Sequence, residues 1–108
     1  MSNDKEKQLE NLRQARFKKL REFEELEDAV RFKEKKTIDE LSNLQQRAYH
    51  LLSLYTGGAP EIQFGLNQVE NIKNNLRDQF KNARQQINRE REDYEYDYQI
   101  QKRKINEN

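Results

Sequence analysis

The sequence predicts an all-α protein, a long antiparallel two-helix hairpin of coiled-coil type with helices over about 3–55 and 60–106 and a turn at 56–60. Three observations predict it. Apolar residues recur at separations of three and four along nearly the whole chain, which is the period of one helix face and not the period of two that a strand requires. Thr56-Gly57-Gly58-Ala59-Pro60 is the single strong break, holding two of the three glycines and the only proline. The composition, 38% charged and 32% hydrophobic with mean hydropathy −1.38, is that of long helices and not of a thick globular core.

The first helix opens on Asn3-Asp4-Lys5-Glu6, which has the form of a capping box. Its stripe then runs through Leu9, Leu12, Leu20, Phe23, Leu26, Val30, Ile38, Leu41, Leu44, Ala48, Leu51 and Tyr55. Two gaps in it, near Arg16 and Glu34, each place a polar residue at a stripe position. Thr37-Ile38-Asp39-Glu40 repeats the capping form in mid-helix, after the polar stretch 33–36, and marks either a break there or an ordinary mid-helix threonine. At the tip, Gly57 or Gly58 suits the left-handed residue that ends a helix, and Pro60 suits the first turn of the next. The second stripe follows through Ile62, Leu66, Val69, Ile72, Leu76, Phe80, Ala83, Ile87, Tyr94, Tyr98 and Ile105. A link this short forces the helices antiparallel, giving one helical-hairpin domain over 1–108.

The stripe is wider than one seam needs. Phe17, Phe32, Tyr49, Leu52, Leu54, Phe64, Tyr96 and Ile100 flank it. A helix with a broad apolar face contacts more than one neighbour, so a second surface is expected to meet another chain. For that surface we take Phe17, Phe32, Tyr49, Leu52 and Phe64, together with Tyr94, Tyr96 and Tyr98. Tyr94 and Tyr98 share a face at i, i+4, with Tyr96 pointing elsewhere. Either the first two are core positions whose hydroxyls reach water, or all three form an amphipathic contact patch.

Composition and motifs argue against other classes. Lys and Arg number 21 against 20 Asp and Glu, interleaved in both halves, so the basic stripe of a nucleic-acid binder is missing. Runs such as Lys102-Arg103-Lys104 read as solvated helix face. There is no cysteine, hence no disulfide and no thiolate metal site. No apolar run approaches the roughly 20 residues that span a bilayer, so no membrane insertion is expected, and Met1-Ser2-Asn3-Asp4-Lys5 has no signal-peptide apolar region. Synthesis in the cytoplasm without a cleavable signal is the expectation. His50, the one histidine, has no second ligand and no orienting partner in sequence, so packing or a polar rim is its reading. Glu90, Asp93 and Asp97 share a helix face, but hard-cation cages draw ligands from loops or several helices. Without a phosphate-cradling glycine loop or nucleophile elbow, neither catalysis nor a cofactor is expected.

The tip, from Leu51 to Phe64, resembles the turn of WXG-type small secreted helical hairpins, with Tyr55 where that family has Trp and Gly57 at its Gly. The chain from Leu9 to Ile105 is still more similar to the small helical proteins encoded beside LXG toxins in type VII secretion loci of Gram-positive bacteria. The carriers of that likeness are the stretch 92–98, Glu-Asp-Tyr-Glu-Tyr-Asp-Tyr, and the finish Lys102-Arg103-Lys104-Ile105. The resemblance implies a targeting factor or chaperone that binds the helical N-terminal domain of an LXG toxin, with a second small WXG-like partner. Co-export with the toxin is part of that expectation. The export signal of such systems, an aromatic followed four residues later by an acid, is missing: Tyr94 is followed by Tyr98, Tyr96 by Ile100 and Tyr98 by Lys102. The stripes alone equally suit a self-assembling structural coiled coil.

Overall fold

The computed structural model describes residues 2–54 and 59–107. They form two helices, α1 (Ser2–Ser53) and α2 (Ala59–Glu107), and no strand. The fold class is the predicted all-α hairpin, with helix ends within one or two residues of those read from sequence, the ordinary fraying range. α1 begins at Ser2, so Asn3 lies inside the helix and the expected capping box is not its start. Asp4 in that first turn faces the positive end of the helix dipole, as Glu61 does in α2, and Lys104 occupies the last turn of α2 where a cation is favoured. Pro60 falls in the first turn of α2, where its missing N–H leaves no bond unmade. At the end of α1 the Leu54 N–H donates to the Leu51 carbonyl at 3.3 Å, and Ser53 Oγ donates to the His50 carbonyl at 2.7 Å. Two otherwise orphaned carbonyls are thereby satisfied. Tyr55, Thr56, Gly57 and Gly58 lie outside the described residues.

α1 runs through Thr37 without a break. The polar stretch does not interrupt it because Lys33, Lys35 and Lys36 are exposed while Glu34 takes the half-buried position on the inner face.

The chain divides into two compact units, each holding a stretch of both helices: Met1–Ala29 with Arg84–Asn108, and Val30–Ala83. In the first, cross-helix contacts descend α2 as they climb α1, which is the signature of antiparallel pairing. Lys5 Nζ donates to the Asn106 carbonyl at 2.8 Å. Arg16 grips Glu95 through both carboxylate oxygens, Nε to Oε2 at 3.0 Å and Nη2 to Oε1 at 2.9 Å. The Phe23 ring meets Tyr94 edge-on at 6.3 Å, and Glu27 pairs with Arg91 at 3.2 Å. Phe23 is 5% exposed and is the one buried apolar side chain among the described residues.

The second unit is organised around Gln45 and Lys73. Gln45 Nε2 donates to the Leu66 carbonyl at 3.3 Å and to Glu70 Oε2 at 3.4 Å. Its Oε1 accepts from Lys73 Nζ at 3.2 Å, and the same ammonium pairs with Glu70 at 3.2 Å. Lys73 is only 7% exposed, its methylene stem covered by the seam while its head keeps polar partners. Leu41, Ala48, Ile62, Leu66, Val69, Leu76 and Phe80 complete the half-buried inner face.

The inner face departs from the predicted stripe in one consistent way. At Leu26-Glu27, Leu44-Gln45 and Ile72-Lys73 an apolar residue directly precedes a polar one, and either member satisfies spacings of three and four. In each case the polar member turns inward and the apolar member is left more than half exposed. Leu51, also expected in the stripe, is exposed as well. The cause is cross-helix pairing: Glu27 has Arg91, while Gln45 and Lys73 have each other. The gap at Arg16 is resolved likewise, since its guanidinium turns inward to reach Glu95.

Candidate interaction surface

Diverting polar side chains into the seam leaves apolar ones outside, and the eight contact residues read from sequence divide accordingly. Phe17, Phe32, Tyr49, Phe64 and Tyr96 are 59–71% exposed, and Leu52 is 42% exposed. Tyr94 and Tyr98 are instead half-buried within their unit. Tyr94 packs on Phe23, and the Tyr98 ring lies under the Arg16 guanidinium at 5.1 Å. Tyr94 and Tyr98 thus take the inward positions weighed for them, and Tyr96, two residues from each, stands out on the opposite side. The turn residues Tyr55 and Gly57 lie outside the described residues.

Electrostatics tighten the seam more than the surface. Arg16 has its pKa raised above the ordinary value, chiefly by its hydrogen bond to Glu95. The Lys73 ammonium, by donating to Glu70, holds that carboxyl below the usual range. Burial pushes the Tyr94 phenol up, because ionisation there would lose water. Surface pairs such as Arg13–Glu10 at 2.8 Å and Arg21–Glu25 at 3.7 Å follow one helix and contribute a few tenths of a kcal/mol each.

Charge is scarce where exposed apolar residues are most closely spaced, at Leu44, Tyr49, Leu51, Leu52 and Leu54. From Leu41 to Pro60 the only charged side chain is Arg47. In the second unit a groove of about 440 Å³ opens beside Tyr49, lined by Ser42, Gln45, Gln46, Leu66 and Lys73. Its wall is polar and the Tyr49 ring forms part of its rim. His50 is exposed near a second groove, with Asn43, Gln46 and Arg47. Among the described residues no group of three His, Cys, Asp or Glu side chains is placed to hold a metal, the stretch with Glu90, Asp93 and Asp97 included. No described helix is long and apolar enough to cross a membrane.

Sequence reasoning located the outward aromatics, of which Phe32, Phe64 and Tyr96 lie two residues off a stripe position. It missed Leu26, Leu44, Leu51 and Ile72 as surface residues. The signal that could have found Leu26, Leu44 and Ile72 was the polar neighbour beginning a cross-helix pair, such as Glu27 with Arg91; Leu51 is followed by Leu52 and carries no such signal. Comparison with family models, with curated proteins and with solved structures finds no match for this chain.

Proposed function

We propose that the protein is a non-enzymatic helical adaptor that binds the long helical N-terminal domain of an LXG toxin, together with a second small hairpin, and targets it to type VII secretion. The observation supporting an adaptor is the set Phe17, Phe32, Tyr49, Phe64 and Tyr96, each 59–71% exposed on a hairpin with one buried apolar residue among those described. Covering one such side chain on a partner gains about 1–2 kcal/mol, most of a full transfer. Association costs roughly 4–15 kcal/mol before any surplus appears. Several aromatics must therefore engage at once, which a long partner helix does and a small ligand does not. The tip and tail likeness given above supplies the toxin as the partner's class.

The test is co-expression with the N-terminal domain of the LXG protein encoded beside it. Recovery of a stoichiometric complex is the expected result, and a Leu52→Asp, Phe64→Asp chain of unchanged helicity should lose it. Failure of the two proteins to co-purify would remove the toxin reading.

A further inference from the structure

In an antiparallel helix pair, the residue just before a seam position turns to the same side of the hairpin on both helices. One step is about 100° around either helix. Reversing the chain direction and facing the opposite partner cancel, so both steps lead to one side. In the unit formed by 30–83 the seam positions Gln45, Leu66 and Lys73 are preceded by Leu44, Gly65 and Ile72. Leu51, seven residues beyond Leu44, and Gly65, seven before Ile72, extend each row by one heptad. Gln45 bonds to groups from Leu66 to Lys73, which sets Leu44 level with Ile72 and Leu51 level with Gly65. All four residues are exposed.

Gly65 is the unexplained member. Inside a helix a glycine is destabilising relative to alanine, and a Cβ added here would meet nothing within 4 Å. The hairpin has no internal need of a small residue at this point. Beside it the face carries a ridge, Leu44 with Leu51, and so presents knob and notch side by side.

We infer that this face of the 30–83 unit binds the same face of a second copy, with Leu51 of each chain seated over Gly65 of the other. A two-fold axis parallel to the helices sets α1 of one copy over α2 of the other at unchanged height. Leu51 then meets Gly65 and Leu44 meets Ile72, each contact occurring twice, and every neighbouring pair of helices is antiparallel, as in an up-down four-helix bundle. Charge fits the same operator. Arg47 comes over Gln68 and Glu40 over Asn75, so no like charges oppose each other. The outward aromatics Phe32 and Phe64 stay free, so the dimer is compatible with a further helical partner.

Sedimentation equilibrium on the full chain tests this, together with two variants. The wild type is expected to dimerise, and Gly65→Gln to keep its helicity, with a monomer thermal midpoint at or above that of wild type, while weakening the dimer at least about tenfold. Phe64→Gln, on the outward side, should leave dimerisation unchanged. The chain has no cysteine, so Leu51→Cys and Gly65→Cys can be mixed under mild oxidant. The mixture should yield a 51–65 cross-linked dimer that neither variant forms alone. A monomer at millimolar concentration, a Gly65→Gln dimer as tight as wild type, or cross-linking of either single variant at the same rate would each overturn the assignment. Co-purification with an LXG domain is a separate result and bears only on the toxin reading.

Discussion

Replacing Phe23 with alanine tests the seam directly, because Phe23 is 5% exposed while Leu26, three residues on and equally at home in a helical stripe, is 51% exposed. In a three-dimensional core a Phe→Ala change costs about 3–5 kcal/mol. Here the neighbours are half-exposed and the hole can fill with water, so the lower end, about 3 kcal/mol, applies. About 1 kcal/mol of that belongs to the edge-on contact with Tyr94, and about 0.5 to Lys19, whose ammonium lies 5.3 Å from the ring. Leu26→Ala should cost no more than about 1 kcal/mol, since half of its side chain is already in water. Against a total stability of roughly 5–15 kcal/mol for a small domain, the first loss shifts the unfolding midpoint plainly and the second barely. Urea unfolding followed by helical ellipticity measures both, at low concentration so that self-association adds nothing. If Leu26→Ala proved as costly as Phe23→Ala, the seam would run through Leu26 and the Glu27–Arg91 register would be wrong.

Three further outcomes follow from the same seam. A double-mutant cycle of Arg16→Ala with Glu95→Ala should give a coupling of about 1 kcal/mol, modest because both side chains are about one-third exposed. Lys73→Leu combined with Gln45→Leu should hold or raise the unfolding midpoint, because replacing both members of a buried polar pair by apolar residues is neutral to stabilising. It should also broaden the range of assemblies seen in sedimentation, since the polar pair that selects the register is gone. Tyr94, whose pKa burial raises, binds its proton more tightly folded than unfolded. Its contribution is therefore complete below the ordinary tyrosine pKa and is lost as pH climbs from there through the raised folded value. Alkaline unfolding of the Tyr94→Phe protein should begin at higher pH than that of wild type.

Helix identity and the outward position of Phe32 and Phe64 were legible in the sequence because each depends on spacing along one helix, and the antiparallel arrangement because the link between the helices is short. What was not legible is which member of an apolar–polar pair faces inward. Spacing admits both Leu26 and Glu27, and hydropathy prefers Leu26. The choice is made by Arg91, more than sixty residues away, through a contact at 3.2 Å. The same holds for Ile72 and Lys73, decided by Gln45. Non-local pairing of this kind leaves no periodic trace in a single chain. The tip motif of Tyr55 and Gly57 lies outside the described residues, so the likeness that rests on it stands on sequence alone.

A seam built with Arg16–Glu95, Glu27–Arg91 and Lys73–Gln45 is a weak way to gain stability and a good way to gain register. Half-exposed ion pairs contribute little free energy, but sliding the helices by one heptad would set Arg16 against Asn88 or Lys102 in place of Glu95. The side chains displaced by this arrangement, Leu26, Leu44 and Ile72, are what a purely apolar seam would have enclosed. In the dimer inferred above, that exposure links register to recognition. Within the 30–83 unit the bonds of Gln45 fix the height of α1 against α2, and that height sets Leu51 level with Gly65 and Leu44 level with Ile72. A seam free to slip would still be helical and apolar outside, yet it would present no fixed pattern of ridge and notch for another helix to read.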